Sequence, residues 1–462
     1  MNGIGRFGAR AWRDLGGDPA LLDAVLPLDP PASLPSRLDV VGLAGDSVAL
    51  AALAVHETLL ARGMAETLPA VRISGDRLRT SIRSERSFSL DGEAPNAWAP
   101  LSGFFETADG WVRTHGNYPH HAARLRAILG LGSDASADDV AAAFRSRPAQ
   151  EIEDRAADDG AVAVRVRTPE EWAEHPHAAA LATTPLVAVR PLLGGPVAGW
   201  GPSARPLDGI RVLDLTRVIA GPVAGRDLAF AGADVLRIDS PRLPEIPWQH
   251  LDTGQGKRST ALDLASAGDR ARFEELLSTA DVVITGYRPG ALDAIGLSSD
   301  ALVERRAGLI VGRVSAWGTV GPWARRRGFD SIVQAATGIA VVETDDGVRP
   351  GALPAQALDH SAGHFLAAGI VHALAARHAS GEGAEVSVAL ARVAQELLAA
   401  GVSAVKRPDS GAAPVVQAGR SGESTLTTAA PVLSYEGAPD EYPELGGVWA
   451  ADPPLWRGAH PA

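Results

Sequence analysis

Residues 359–364 read Asp-His-Ser-Ala-Gly-His, an acidic residue and two histidines four apart at the head of an apolar, alanine-rich stretch. Histidines at i and i+4 on a helix could grip a metal ion with Asp359 beside them, but the glutamate that a zinc-protease motif places between them is missing, and spacing indicates no third ligand. No metal site is expected. The carboxylate has two readings. Just ahead of a helix it can cap orphan N–H groups; held ionised by the field of the helix N-terminus at a sheet edge, it can act as a nucleophile. Spacing alone leaves both open. His115, His120 and His121 form a second set, read as solvated or packed side chains. Gly3-Ile-Gly5-Arg-Phe-Gly8 spells the dinucleotide-binding fingerprint, yet only Met1 and Asn2 precede it where a strand is required, so it is read as accidental.

The elements that would position Asp359 emerge from hydrophobic patterning. Residues 210–215, 234–239, 281–285 and 309–315 read as strands, separated by helical stretches at 224–230, 266–280 and 291–307. Such alternation predicts a parallel sheet with helices on its faces, Rossmann-like in plan. A helix over 360–377, a strand over 385–389 and a helix over 392–400 extend it, and the Gly/Pro/Ala-rich tail from Arg407 reads as loop, with the Glu441/Tyr442 and Trp456 regions as anchors. The Gly/Pro-rich stretch 192–209 is taken as a linker. It divides a smaller α+β domain (1–191) from a Rossmann-like α/β domain with a loop-rich tail (210–462). In the first part residues 47–62, 120–129 and 137–144 read as helices, Val71 to Leu90 as strands and Trp111-Val112 as a short strand.

Composition narrows the chemistry. The 462 residues contain no cysteine, which removes disulfides, thiolate metal sites and thiol nucleophiles. Of 43 basic residues only Lys257 and Lys406 are lysines, and the formal charge of −12 argues against a nucleic-acid partner. The longest obvious apolar run is Val48 to Val55, far short of a membrane span, and the arginine-bearing N-terminus is not a secretory signal. A cytoplasmic protein with no membrane contact is expected.

Seven fragments then occur in a recognisable order: 206–222 (PLDGIRVLDLTRVIAGP), 231–239, 256–264, 287–292, 315–322, 328–335 and 381–386. Together they resemble the family III CoA-transferases, which include formyl-CoA:oxalate and carnitine CoA-transferases and α-methylacyl-CoA racemases. The resemblance implies that Asp359 attacks an acyl-CoA thioester to give an aspartyl anhydride and CoA thiolate. The thiolate then forms an aspartyl-CoA thioester, and a free carboxylic acid collects the CoA. Coenzyme A enters as a thioester substrate; no tightly bound cofactor is implied. The CoA contacts implied are Ala220, the Lys257–Leu264 segment with Asp263 and Leu264, the Gly286-Tyr287-Arg288 turn, and Ala316 near the pantetheine, with Lys257 and Arg288 suited to phosphates.

The chain also departs from the family pattern. Ile219 stands where formyl-CoA transferases have glutamine, Pro241 displaces the arginine after the second strand to Arg242, no tetraglycine loop is matched, and Phe329 replaces the racemase histidine. A phenyl ring cannot relay a proton, so transfer is favoured over two alternatives: racemisation or isomerisation, for which His360 would be the nearby substitute, and CoA binding without turnover. Residues 103–115, 121–130, 168–172 and 175–177 resemble the family's small domain, placed before the large one rather than after it, while 430–435 resembles the family's closing segment. The usual interlocked homodimer threads through that domain, so the order here leaves a homodimer open.

Overall fold

A run such as Val282–Thr285 has no polar face to offer water, and strands of this kind are stable only in a sheet covered on both sides. The computed structural model describes residues 3–196 and 199–458 and places the run in such a sheet. Numbered within that sheet, its strands are β1 (Ala188–Leu192), β2 (Arg211–Leu215), β3 (Asp234–Asp239), β4 (Arg258–Ala261), β5 (Val282–Thr285), β6 (Ile310–Ser315) and β7 (Gly383–Ala389). Their spatial order is β1-β7-β6-β5-β2-β3-β4. All pairs are parallel except β1 with β7, where Val189 lies opposite Val386. From β2 the chain steps outward through β3 and β4, then crosses to the other side of β2 for β5, β6 and β7. That reversal makes the carboxyl ends of β2 and β5 a topological switch point, where open α/β sheets leave a crevice for ligands. The expected α/β class is the one observed, with smaller antiparallel sheets beside it.

Six helices build or support the region around that crevice: α1 (Val40–Ala61), α2 (Pro119–Leu129), α3 (Ala149–Asp159), α4 (Ala220–Phe230), α5 (Asp330–Ala336) and α6 (Ala357–Ser380). Helix α6 lies on β6 and β7 and packs against both α1 and α4. The 22 residues of α1 are long and apolar enough to cross a membrane by length and composition, which corrects the reading of a short run at 48–55. It is a core helix, nearly all of it buried, Asp46 and His56 included. The Asp46 carboxylate accepts the backbone N–H groups of Gly5 at 2.7 Å and Gly8 at 2.9 Å, so two glycines of the fingerprint-like run are held by α1. Leu43 and Leu50 of α1 share one hydrophobic core with Phe365 and Ile370 of α6. A separate core around Leu125, Phe144 and Ile152 belongs to the antiparallel sheet Gly103–Glu106, Trp111–Thr114, Ala163–Arg165 and its helices. Of the expected linker, Leu192 closes β1 and residues 197–198 lie outside the described residues, as do 1–2 and 459–462.

Two local expectations are overturned. Val71 to Leu90 is not a pair of strands: Ser74 caps a helix over Gly75–Ser81, a second turn covers Ser84–Ser87, and only Ser89–Leu90 extends, pairing with Thr427 and Leu426. The alternating arginines imitated a period of two, but they reach the tail, Arg79 and Arg83 to Asp409 and Arg77 to the carbonyls of Pro431 and Asp440. The tail itself contains the hairpin Val416–Ser421/Ser424–Ala429. Tyr442 packs 5.4 Å from the Phe230 ring, and Trp456 donates to Thr279 Oγ1 at 3.0 Å.

Gly363 lets α6 approach α4. A Cβ there would collide with the Ala220 carbonyl oxygen and stand 2.8 Å from Val223 Cβ. Glycine to alanine inside a helix normally gains about 1 kcal/mol. Here overpacking should reverse the sign, so Gly363→Ala is expected to lose about 1–3 kcal/mol in urea unfolding; a gain would show that the α4–α6 contact is loose.

Candidate active site

At the carboxyl ends of β2, β5 and β6 the chain encloses a cavity of about 330 Å³. The loop after β2 supplies Arg217, Val218 and the head of α4; the loop after β5 supplies Gly286 to Arg288; β6 ends in Ser315 and Ala316; Arg326 to Phe329 close one side and Asp359 of α6 another. Tyr118, His120 and His121, at the start of α2, complete the wall. Helix α4 has no side-chain cap, and the backbone N–H groups of Ala220 and Gly221 have no acceptor among the described residues. The positive end of a helix therefore opens onto the cavity.

Asp359 is the third residue of α6, whose N-cap is Gln356. It therefore sits inside the first turn rather than ahead of it, and no hydrogen bond reaches its carboxyl among the described residues. The cap reading fails on both counts. Its backbone N–H donates instead to Asp330 Oδ2 at 3.0 Å. Asp330, the first residue of α5, also accepts from Gln334 Nε2 at 2.5 Å, and Gln334 is held in turn by the Leu353 N–H. Burial pushes Asp359 well above the usual carboxylate range, and the Asp330 charge pushes it further. Burial raises Asp330 too, but the N–H groups of Asp359 and Leu358, Gln334 and the charge of Arg113 all oppose the rise. Two carboxyls this close cannot both ionise cheaply, and the donors around Asp330 leave the proton on Asp359.

The remaining wall is cationic and aromatic. Arg217 is committed to Glu245 at 3.5 Å and Arg326 to Glu153 at 3.4 Å, while Arg288 and Arg327 have no carboxylate partner among the described residues. His121 is buried beside them; burial first, then His120, Arg327, Arg124 and Arg217, push it down to about 3, so it is a neutral imidazole at ordinary pH. His115 stacks on Phe329 at 3.6 Å with the rings 4° from parallel.

Residues 207–439 match the family model of CoA-transferase family III, just over half of the chain. The chain belongs to CoA-transferase family III. It is similar to a probable fatty acyl-CoA transferase of Mycobacterium tuberculosis, 36% identical over 210 residues that cover 42% of this chain and 53% of that protein. It is also similar to the alpha subunit of succinyl-CoA–L-malate CoA-transferase of Chloroflexus aurantiacus (34% identical, 42% and 48% covered) and to acetyl-CoA:oxalate CoA-transferase of Acetobacter aceti (34%, 40% and 51%). The chain spans about half the length of these relatives. A crystal structure of the M. tuberculosis protein aligns over 42% of this chain and 58% of that one at 34% identity, with a TM-score of 0.40.

Of the residues that the family III resemblance pointed to, Asp359, Ala220, Gly286, Tyr287, Arg288 and Ala316 meet at the cavity. Lys257, Asp263 and Leu264 do not line it. The Lys257 ammonium is enclosed, donating to Asp214 Oδ2 at 2.8 Å and to the Pro222 carbonyl at 2.6 Å. Burial pushes it down to about 8 against the pull of Asp214, and a cation already satisfied in this way is not free for a phosphate. Asp263 pairs with Arg242 at 2.6 Å, and Leu264 packs on the sheet's second core. His364 is bound to Asp227 at 2.6 Å; His360 is buried and absent from the cavity wall, so it cannot stand in for the missing racemase histidine. Among the described residues no group of three His, Asp or Glu is arranged to hold a metal ion. The sequence reading missed Asp330, Glu245, Arg217, Arg327 and the placement of His121. Asp330 lay inside the matched fragment 328–335 and could have been found there; the others depend on contacts between distant segments.

The charge arrangement has a stability consequence. A carboxyl raised in the folded state favours folding while protonated, and that contribution is lost as pH rises from the ordinary carboxylate range through the folded value. Asp359→Asn removes the cost of ionising the group. The variant is expected to unfold at a higher temperature than the parent, with a wider gap at pH 8 than at pH 4; an equal gap at both would mean that Asp359 ionises freely in the fold.

Proposed function

We propose that the protein transfers CoA from an acyl-CoA thioester to a free carboxylic acid, with Asp359 as the covalent nucleophile. The observation that carries this reading is a buried carboxyl at the switch-point cavity that accepts no hydrogen bond among the described residues, set among an uncapped helix N-terminus and two guanidiniums with no carboxylate partner among them. A nucleophile needs open lone pairs, and Asp359 is left with them while Asp330 takes the local donors. On this reading Asp359 reacts in its ionised form: the proton that burial and the Asp330 charge favour leaves to solvent through the open cavity. The carboxylate oxygen attacks the thioester carbonyl carbon, the C–S bond breaks, CoA leaves as a thiolate, and the proton returns when Asp359 is freed at the end of the exchange. The thiolate then attacks the aspartyl carbonyl of the anhydride, releasing the first acid. The second carboxylate repeats the sequence in reverse, and no net proton moves. Dividing the exchange into acyl transfers between carboxylate and thiolate lets one residue serve both half-reactions.

Arg288 and Arg327 supply uncommitted positive charge for the CoA phosphates, and the Ala220 and Gly221 N–H groups add the helix-end donors suited to an anion. Gly286, Tyr287 and Ala316 line the path between them. The relatives' names supply the range of acids worth testing, from fatty acids to oxalate, succinate and malate.

The test incubates the full chain with mixed acyl-CoAs and free acids and follows exchange by mass spectrometry. Exchange is expected in the parent, together with a peptide carrying CoA on Asp359, and Asp359→Ala is expected to lose about 10³-fold or more of the rate. Full activity in that variant would overturn the mechanism.

A further inference from the structure

Among the polar side chains of the cavity that the transfer scheme has not used is a buried histidine. His121 is 5% exposed and lines the cavity that Asp359 enters. Its Nδ1 is sealed off without a partner, and no hydrogen bond reaches Nε2 among the described residues, so Nε2 is the nitrogen left toward the cavity. The ring is not free to swing. It stands edge-on to Tyr118 at 5.6 Å and 84°, to Phe329 at 5.8 Å and 73°, and to His120 at 4.1 Å and 60°. Tyr118 is itself anchored by its hydroxyl to Glu245 Oε1 at 2.6 Å, so the clamp is tied to the large sheet's loop.

An imidazole with both nitrogens unbonded is costly to bury, by about the desolvation of an unpaired polar group. A ligand in the cavity would complete the Nε2 side and remove that part of the cost. A neutral imidazole offers one N–H donor and one acceptor. Burial first, then His120 and the charges of Arg327, Arg124 and Arg217, disfavour a second proton, which makes it a poor general base but leaves its N–H to polarise a carbonyl. When the Asp359 oxygen adds to the thioester carbon, the carbonyl π pair moves onto oxygen. That oxyanion needs donors fixed in advance and kept from water.

We infer that His121 is a catalytic residue of this protein, donating its Nε2–H to the carbonyl oxygen that becomes an oxyanion when Asp359 attacks the acyl thioester. The same bond serves when thiolate or acid attacks the aspartyl carbonyl, since each step passes through an oxyanion and none requires a proton from the ring. The role rests on the transferase reading, and it assigns a chemical task to the module that lies ahead of the large sheet.

Three variants test it: His121→Phe, which keeps the aromatic packing but removes the donor; His121→Asn, which keeps a short donor; and His120→Phe as a neighbouring control. Calorimetric titration with CoA and thermal unfolding accompany the exchange rates. The expected result is a fall of about 10²-fold or more in kcat for His121→Phe, with KM for the acyl-CoA and the affinity for CoA unchanged, partial recovery in His121→Asn, and a much smaller effect at His120. Imidazole ¹⁵N resonances of the parent should also report a neutral His121 down to pH 5 and should move when a non-hydrolysable acyl-CoA thioether is added that keeps the carbonyl, with a methylene between it and the sulfur. A kcat within threefold of the parent in His121→Phe, or a loss confined to CoA affinity, would overturn the assignment. If the parent itself exchanges no CoA, the transferase reading fails. In that case an unmoved His121 resonance with the thioether also rejects the site, and a moved one retains it as a hydrogen bond to the acyl oxygen.

Discussion

Two carboxyl groups share one buried place at the head of α6, and the surrounding structure is organised by the need to keep them apart in charge. Asp330 begins α5 and receives the N–H groups of the first turn of α6, so the two helices meet through a carboxylate rather than through apolar packing alone. That contact turns Asp359 away from its own helix end and toward the cavity. A capping aspartate is stabilised by the backbone it serves; here that service is rendered by the neighbour, and Asp359 remains raised, unbonded and costly. Sites that retain such a cost without local compensation are where function is sought.

The second constraint is the position of the loop after β2. Val218 has a φ of +72°, in the left-handed region that a β-branched side chain rarely enters, and its N–H donates to Glu245 Oε2 at 3.0 Å. Glu245 also pairs with Arg237 at 3.1 Å and Arg217 at 3.5 Å and accepts the Tyr118 hydroxyl. Burial pushes that carboxyl up, and Arg237, Arg217, Tyr118 and Val218 more than reverse the push, holding it below the usual range. A strained backbone of this kind costs of order 1–3 kcal/mol and persists only when its surroundings over-determine it. The over-determination is visible: one ionised carboxylate holds the loop, the sheet and the aromatic clamp of α2 in a single network, and the head of α4 is aimed by the same loop.

The sheet and the position of Asp359 were legible in the sequence because both rest on local pattern. Strands buried on two faces announce themselves as apolar runs, and the matched fragments bracket the residue at 359. What was not legible rests on contacts made across the chain. The arginines of 71–90 alternate like a strand's outer face, yet they serve the tail hundreds of residues later. Lys257 resembles a phosphate ligand until Asp214, 43 positions earlier, is seen to take it. The same blindness applies to Arg217 and Arg326, whose charges are spoken for, and to Arg288 and Arg327, whose charges are not; nothing in a sequence distinguishes a paired guanidinium from a free one.

The entry of the chain into the sheet fixes which end of it the preceding residues reach. The residues 103–177, which carry Tyr118 and His121, come before the large sheet in the chain. Strand β1 carries the chain from those residues into the sheet, antiparallel to β7, so that Ala188 at its start lies opposite Ser387 near the end of β7, and Leu192 at its end lies opposite Gly383. The chain therefore enters the sheet beside the point at which β7 finishes. A module leading into β1 and a module leading out of β7 would hang from the same end of the same edge. That is the carboxyl end of the parallel strands, where the cavity lies. Tyr118 and His121 line the same cavity as Asp359, and the segment that carries them leads into the sheet at the end where that cavity lies.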